Sequence, residues 1–326
     1  MTVALAITVD DVHAAAERVR SHVLKTPMVP CPALSDELGF EVTFKCENLQ
    51  HVGAFKARGA CNAVFSLSEE QAAAGVVAHS SGNHAAALAR AAKLRGITAH
   101  IVMPHNSASV KIEAVRRLGV EPVFCEPTTE AREAMAEKVI AETGATLVHP
   151  FNDPLVMAGQ GTAALEILEQ SPNIDTLVVP VGGGGLVSGC LITIKALRPD
   201  IRVIAAEPEW ADDAYRSWKS GRIEPPVRYD SIGDGLRTCV GPLTFPIIQS
   251  LVDDILTVSE ELIATATRRM FSQCKLVVEP SGAVPLGVML QHPHVFKDRT
   301  VAAIITGGNL DFGAFDFRIR ERSNAG

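Results

Sequence analysis

Lys56 lies in the stretch Gly53-Ala54-Phe55-Lys56-Ala57-Arg58-Gly59-Ala60, between glycines, at what reads as the start of a helix. A lysine beside an aromatic residue is ordinarily a surface cation lying along apolar neighbours. Its company elsewhere in the chain makes it a chemical candidate. Ser80-Ser81-Gly82-Asn83-His84, Gly182-Gly183-Gly184-Gly185 and Thr306-Gly307-Gly308-Asn309 each read as a strand end turning into a helix or loop. α/β proteins place their ligands at such turns. The expectation is that all four turns converge on one cleft, where a lysine amine could attack a carbonyl or move a proton.

Four consecutive glycines between a strand and a helix let several backbone N–H groups point at one spot beside the positive end of the helix dipole. That is an anion cradle, most often for phosphate. Strand-helix packing alone needs only one or two glycines. A nucleotide P-loop is excluded because no Gly-Lys-Ser/Thr follows. A dinucleotide site fits the spacing: Gly183, Gly185 and Gly189 form a loosened Gly-x-Gly pattern, and Glu207 ends the next strand where a ribose-binding acid would sit. That reading describes a nicotinamide-dependent oxidoreductase, and a binding protein that kept the fold without chemistry is a third possibility. The lysine separates them, because a phosphate cradle with a lysine on another turn suits an aldehyde cofactor with a phosphate handle, namely pyridoxal 5'-phosphate.

The elements that must position these residues follow from periodicity. Thr8 and Asp11 have capping-box spacing, and Val12, Ala15, Ala16, Val19 and Val23 repeat at helical intervals through Lys25. A short helix is predicted over Pro32 to Leu38 and a strand over Glu41 to Cys46. Strands over Val76 to His79, Ala99 to Met103, Pro122 to Cys125 and Thr146 to His149 then alternate with helices over Ala85 to Leu94, Val110 to Leu118 and Glu130 to Glu142. A second run has helices over Pro154 to Leu168 and Leu186 to Leu197, with strands over Thr176 to Val181 and Arg202 to Glu207. It closes with strands over Asp254 to Val258 and Val301 to Thr306. Ser217 to Cys239 reads as a long connection, and the tail with Arg318, Arg320, Glu321 and Arg322 as solvated. Near-continuous apolar strands between helices imply parallel sheets covered on both faces. The fold class is therefore α/β, with two doubly wound parallel-sheet lobes.

With 326 residues, 47% hydrophobic and 21% charged, the chain is long enough for two lobes. The net charge of −7 is spread along the sequence without a basic stripe, which disfavours nucleic acid. The seven cysteines, Cys31, Cys46, Cys61, Cys125, Cys190, Cys239 and Cys274, are scattered and never form Cys-x-x-Cys. That argues against a disulfide framework or zinc site and for reduced thiols in a cytoplasm. The first residues have no basic region and too short an apolar run for a signal peptide or membrane span, so no targeting segment and no membrane partner are expected.

Taken together, the motifs resemble fold type II pyridoxal-phosphate enzymes of the serine/threonine dehydratase and serine racemase family. Besides the four turns, the resemblance rests on His149-Pro150-Phe151-Asn152-Asp153-Pro154 with Ala158 to Thr162, on Glu207-Pro208 with Ala211-Asp212-Asp213, and on Glu279-Pro280-Ser281-Gly282-Ala283. It implies a large cofactor-binding domain of residues 1–75 and 150–326, a small mobile domain of residues 76–149, the cofactor in the cleft between them, and a homodimer. Lys56 then holds the cofactor as an imine and acts as general base at the substrate Cα. Gly182, Gly183, Gly184 and Gly185 hold the phosphate, Asn83 the ring hydroxyl, Phe55 lies against the ring and Thr306 faces its nitrogen. Ser80, Ser81, Gly82, Asn83 and His84 bind the substrate carboxylate. Ser81 also matches the racemases' second acid/base, on the face opposite the lysine, and Arg132 matches a substrate-proximal arginine. Glu207, the Ala211 carbonyl and Asp213 match a divalent-cation site for magnesium, manganese or calcium.

The implied reaction is elimination of water from a small β-hydroxy amino acid, giving a keto acid and ammonia. Many dehydratases of this family have hydroxyl side chains before Phe-Lys, whereas here Val52-Gly53-Ala54 stands in their place. This form is similar to members acting on 3-hydroxyaspartate, whose second carboxylate Arg132 or His51 could receive. Serine or threonine dehydration and serine racemisation are the alternatives.

Overall fold

The computed structural model describes residues 4–310 except Ser81 and Ala108, with backbone alone at Val110 and Thr129. The proposed tail lies outside the described residues.

The chain opens with α1 (Val9–Val19), β1 (Met28–Pro30), α2 (Pro32–Leu38), β2 (Glu41–Cys46), α3 (Lys56–Ser66) and α4 (Glu69–Ala74). Thr8 caps α1 through the capping box with Asp11, as the spacing predicts, but the helix stops at Val19 rather than Lys25. Next come β3 (Val76–His79), α5 (Asn83–Arg95), β4 (Ala99–Pro104), α6 (Ser109–Arg116), β5 (Val123–Cys125), α7 (Thr129–Thr143) and β6 (Thr146–Leu147). The remainder is α8 (Pro154–Gln170), β7 (Thr176–Pro180), α9 (Gly185–Leu197), β8 (Arg202–Pro208), α10 (Asp213–Ser220), α11 (Thr244–Leu251), β9 (Asp254–Val258), α12 (Glu260–Ser272), α13 (Pro280–Gln291) and β10 (Thr300–Ile305).

These strands form two sheets, ordered β1-β2-β10-β7-β8-β9 and β5-β4-β3-β6. Every pairing is parallel except that of β1 with β2. β1 is too short to carry a periodic signal and lies at an edge, where its Pro30 is tolerated. β6 ends at Leu147, short of the expected His149, because His149 turns away to accept backbone N–H groups in the next loop. The central strands β7 and β8 are buried nearly throughout. Leu177 at the middle of β7 is wholly buried, and truncating such a side chain to alanine costs about 2–5 kcal/mol.

Two devices fix α3, the helix that begins with Lys56. Its Gly59 crosses Gly159 of α8 so closely that a Cβ on Gly159 would stand 2.6 Å from the Gly59 Cα. Beside the crossing, the buried Arg58 guanidinium is bidentate to Glu47 (2.8 and 2.8 Å) and donates to both Glu166 oxygens (2.7 and 2.8 Å). Lys45, also buried, adds Glu166 at 2.6 Å and Gln170 at 2.7 Å. The two cations and two carboxylates are mutually neutralised and hydrogen-bonded. Removing one member would leave an unpaired buried charge, costing about 3–5 kcal/mol.

Candidate active site

The site begins at the N-terminus of α3. Ala54 pairs with Gly307 in an antiparallel bridge, the Phe55 N–H donates to the Thr306 carbonyl (3.0 Å), and the Gly308 N–H donates to the Gly53 carbonyl (2.9 Å). The lysine turn and the Thr306 turn are thereby joined through backbone. Thr306 is itself buried. Val52, just upstream, has φ 56°, a left-handed conformation that disfavours a β-branched residue and is retained where surroundings over-determine it. Its carbonyl accepts from Asn309 Nδ2 at 2.8 Å.

Asn83, the first residue of α5, brings in the third turn. Its Oδ1 accepts from Asn309 Nδ2 (2.8 Å), and its Nδ2 donates to Glu279 Oε1 (2.8 Å). The Gly82 cap of α5 has no side-chain hydrogen bond into the helix, while the Gly82 N–H donates to Ser80 Oγ at 3.3 Å. Ser81 lies outside the described residues.

The glycine turn completes the set. Lys56 Nζ donates to the Pro150 carbonyl at 2.6 Å and stands 5.0 Å from the Phe55 ring centroid. The next residue, Phe151, packs onto the glycines so tightly that a Cβ on Gly183 would stand 2.3 Å from its ring. Gly184 caps α9 in the left-handed region with no side-chain bond to the helix end. Among the described residues no hydrogen bond claims the N–H groups from Gly183 to Val187. These donors at the helix N-terminus fit a phosphate.

Burial depresses the Lys56 pKa to about 8, where a neutral amine is accessible near physiological pH. Two imidazoles lie near enough to feel its charge. His84, buried with Nε2 2.9 Å from the Val148 carbonyl, is pushed down to about 3 by burial, with the Lys56 charge adding. His149 is lowered to about 4, by burial first. Its Nδ1 accepts from the Asn152 and Phe151 N–H groups, and its ring meets His79 and Phe151 edge-on. Glu279 is raised to about 8 by burial, with Asp234 contributing. His79, His149, Glu279 and Asn309 were not identifiable as site residues by type and spacing. The signal for all four was their position within or beside the quoted motifs.

Arg132 lies near the start of α7. Its Nε donates to the Thr128 carbonyl at 3.3 Å, and its charge acts on His79, which meets His149. His51 lies in the turn before Val52, with its pKa lowered by burial and by Arg90.

Glu207 and Asp213 are both fully buried. Glu207 accepts the Ala214 and Tyr215 N–H groups at 2.8 and 2.9 Å, so it caps α10, a helix that runs from Asp213 into the stretch read as a connection from Ser217 onward. Among the described residues neither Asp213 carboxylate oxygen has a well-formed hydrogen bond, while the backbone N–H groups of Asp213 and Val240 lie near enough to act on it. Burial raises both pKa values, that of Asp213 to about 7, and Asp213 adds to the rise at Glu207. A buried acid with unpartnered oxygens beside a second buried acid fits a hard divalent cation. Among the described residues no cluster of three or more His, Cys, Asp or Glu side chains gathers here or elsewhere, so further ligands would have to be carbonyls or water.

Comparison with known proteins bears on this geometry. The family of pyridoxal-phosphate dependent enzymes matches residues 19–307. A β-hydroxyaspartate dehydratase of Paracoccus denitrificans (strain Pd 1222) is 47% identical over 304 residues, covering 93% of this chain and 96% of the relative. The maize serine racemase structure superposes with a TM-score of 0.92 at 43% identity, covering 94% and 95% of the two chains. A threonine deaminase structure from T.th. gives 0.89 at 42% identity, covering 94% and 99%. The two-sheet α/β architecture is thus that of fold type II pyridoxal-phosphate enzymes. The chain belongs to the pyridoxal-phosphate dependent enzyme family.

Proposed function

We propose that this protein is a pyridoxal-phosphate-dependent ammonia-lyase that eliminates water from 3-hydroxyaspartate, giving a keto acid and ammonia. The observation that carries the chemistry is the meeting of Lys56, with its depressed pKa, and an unclaimed row of N–H donors around the Pro150-Phe151 turn. The substrate assignment rests on the apolar Val52 and Ala54 and on the named relative acting on that compound.

When bound, pyridoxal phosphate supplies an electron sink for the pair left at Cα. Gly182 to Gly185 and the first turn of α9 bind the phosphate. Asn83, oriented by Asn309 and Glu279, holds the ring hydroxyl. Phe55 would support the ring, and Thr306 would offer the ring nitrogen a neutral hydroxyl, which cannot protonate it as a carboxylic acid would. Lys56 takes the Cα proton. Ser80, Ser81, Gly82, Asn83 and His84 bind the α-carboxylate, with donors at the N-terminus of α5. The neutral imidazoles of His84 and His149 avoid placing added positive charge beside the base. Ser81 serves as the acid/base on the second face in any racemisation, which belongs to the same reading as a side activity.

The remaining assignments belong to this reading. Residues 76–149 form a small mobile domain against a large domain of residues 1–75 and 150–326. Glu207, the Ala211 carbonyl and Asp213 hold magnesium, manganese or calcium. The protein is a cytoplasmic homodimer. Among the described residues no helix is long and apolar enough to cross a membrane.

The deciding experiment measures kcat/KM for 3-hydroxyaspartate, serine and threonine with wild type and Arg132→Ala. A site built to pair a second carboxylate rejects analogues lacking it by orders of magnitude. Wild type should prefer hydroxyaspartate, and Arg132→Ala should narrow the gap by harming that substrate most. A wild-type preference for serine or threonine would defeat the substrate assignment and leave the general dehydratase reading in place.

A further inference from the structure

Cys31 and Cys274 are 243 residues apart in sequence, yet their Sγ atoms lie 3.0 Å apart. Both are free thiols. Cys31 is buried at the N-terminus of α2, and Cys274 is half-buried in the loop after α12. A disulfide bond is about 2.05 Å long, so closure needs the sulfurs to approach by about 1 Å. The 273–279 loop has room to absorb that movement: its residues 273, 275 and 277 are exposed, and Lys275 sits at φ 60°. Farther along, the same loop is fixed. The Val277 carbonyl accepts from Asn48 Nδ2 (3.0 Å), and the Glu279 N–H donates to the Gly307 carbonyl (3.1 Å).

We propose that Cys31 and Cys274 form a reversible redox clamp that ties α2 to the loop between α12 and α13 without disturbing the site. A small-molecule disulfide such as glutathione disulfide supplies the oxidising equivalents. The Cys274 thiolate attacks it, expelling one glutathione thiolate and forming a mixed disulfide. The Cys31 thiolate then attacks Cys274 Sγ and expels the second. Two protein thiols become one disulfide, the small disulfide becomes two thiols, and the two thiol protons pass to them. Burial holds the Cys274 thiol above its usual range, so exchange is slow and quickens as pH rises. Cross-linking so long a loop restricts the unfolded chain and raises stability. Activity is retained because Asn48 and Gly307 anchor the loop between Cys274 and Glu279.

The test treats the holoenzyme with glutathione disulfide and maps cysteine-containing peptides under non-reducing conditions. The expected result is a peptide cross-linked through Cys31 and Cys274, lighter by two hydrogens and reversed by dithiothreitol. Tm should rise by several degrees, with kcat/KM within about twofold of the reduced enzyme. Cys274→Ser, at the half-exposed position, should lose the cross-link and the Tm rise while keeping turnover, and Cys31→Ala should match it. Cys46→Ala should keep both effects, although Cys46 is near enough to influence Cys274. Seven titratable thiols after treatment, a cross-link through Cys46, or a cross-linked chain with unchanged Tm would each overturn the clamp.

Discussion

The two sheets are built from different material. The six-stranded sheet is packed with large aliphatic side chains such as Leu177, Leu191, Ile194 and Ile204. It carries the glycine turn and the buried acids, while the helix of Lys56 is held to α8 by the glycine crossing and by the Arg58 network, which also ties it to Glu47 just after β2. The four-stranded sheet is covered on one side by α5, whose buried face includes Ala85, Ala87, Ala89, Ala91 and Ala92, and its last strand is two residues long. Small side chains bury less apolar area per residue, so this sheet holds its turns with less hydrophobic stabilisation. The better-packed region carries the turn proposed as the anion cradle and holds the helix of the proposed base through α8, although Ala60, Cys61 and Val64 of that helix also pack with α5. The thinner region carries the Ser80 to His84 turn and Arg132, the groups proposed to receive substrate.

Damage to the first region should therefore remove chemistry, and damage to the second should retune it. The largest effect is expected from Lys56→Ala, in which kcat should fall by at least about 10³-fold because the proposed covalent anchor and base would be lost together. Near-normal turnover of that variant would remove Lys56 from its role.

Acid should strike at the junction of the two regions. His84 and His149 are held neutral, at about 3 and 4, against 6.5 for an ordinary imidazole. The unfolded chain binds those protons first, so the stability from the neutral imidazoles is complete above about pH 6.5 and is lost progressively as pH falls toward 4. The loss should be on the order of 3 kcal/mol for each imidazole by pH 4. Urea unfolding across this range checks it: His149→Gln should show a shallower decline below pH 6.5, and an unchanged slope would contradict the assignment.

A smaller effect is expected within the six-stranded region. A chelator should lower Tm and activity together, and magnesium, manganese or calcium should restore both. A cation at a hundredfold its Kd contributes about 2.7 kcal/mol. Asp213→Asn should abolish the response, and a wild type indifferent to chelator would remove the cation from Glu207 and Asp213.

Much of the architecture was legible in periodicity because the strands are short apolar runs bounded by glycine. α2, β2, β3 and β9 fall where the pattern places them. β1 and α4 were not legible, since a three-residue edge strand and a six-residue helix are too short to show a period. The four chemical turns were visible as glycine punctuation, but the contacts between them were not. Glu279 and Asn309 lie in motifs the sequence displays, yet they reach Asn83 across 196 and 226 residues of sequence, and nothing local marks the end of such a contact. The burial of Asp213 was equally hidden, since an acid at a helix start ordinarily faces water.

The central claim is that the amine gripping the Pro150 carbonyl is the one that carries the cofactor. Reducing the holoenzyme with borohydride and mapping its peptides by mass tests this directly. The visible absorption band should disappear and a stable phosphopyridoxyl mass should appear on Lys56. A label on another lysine, or no label with full activity retained after reduction, would contradict it.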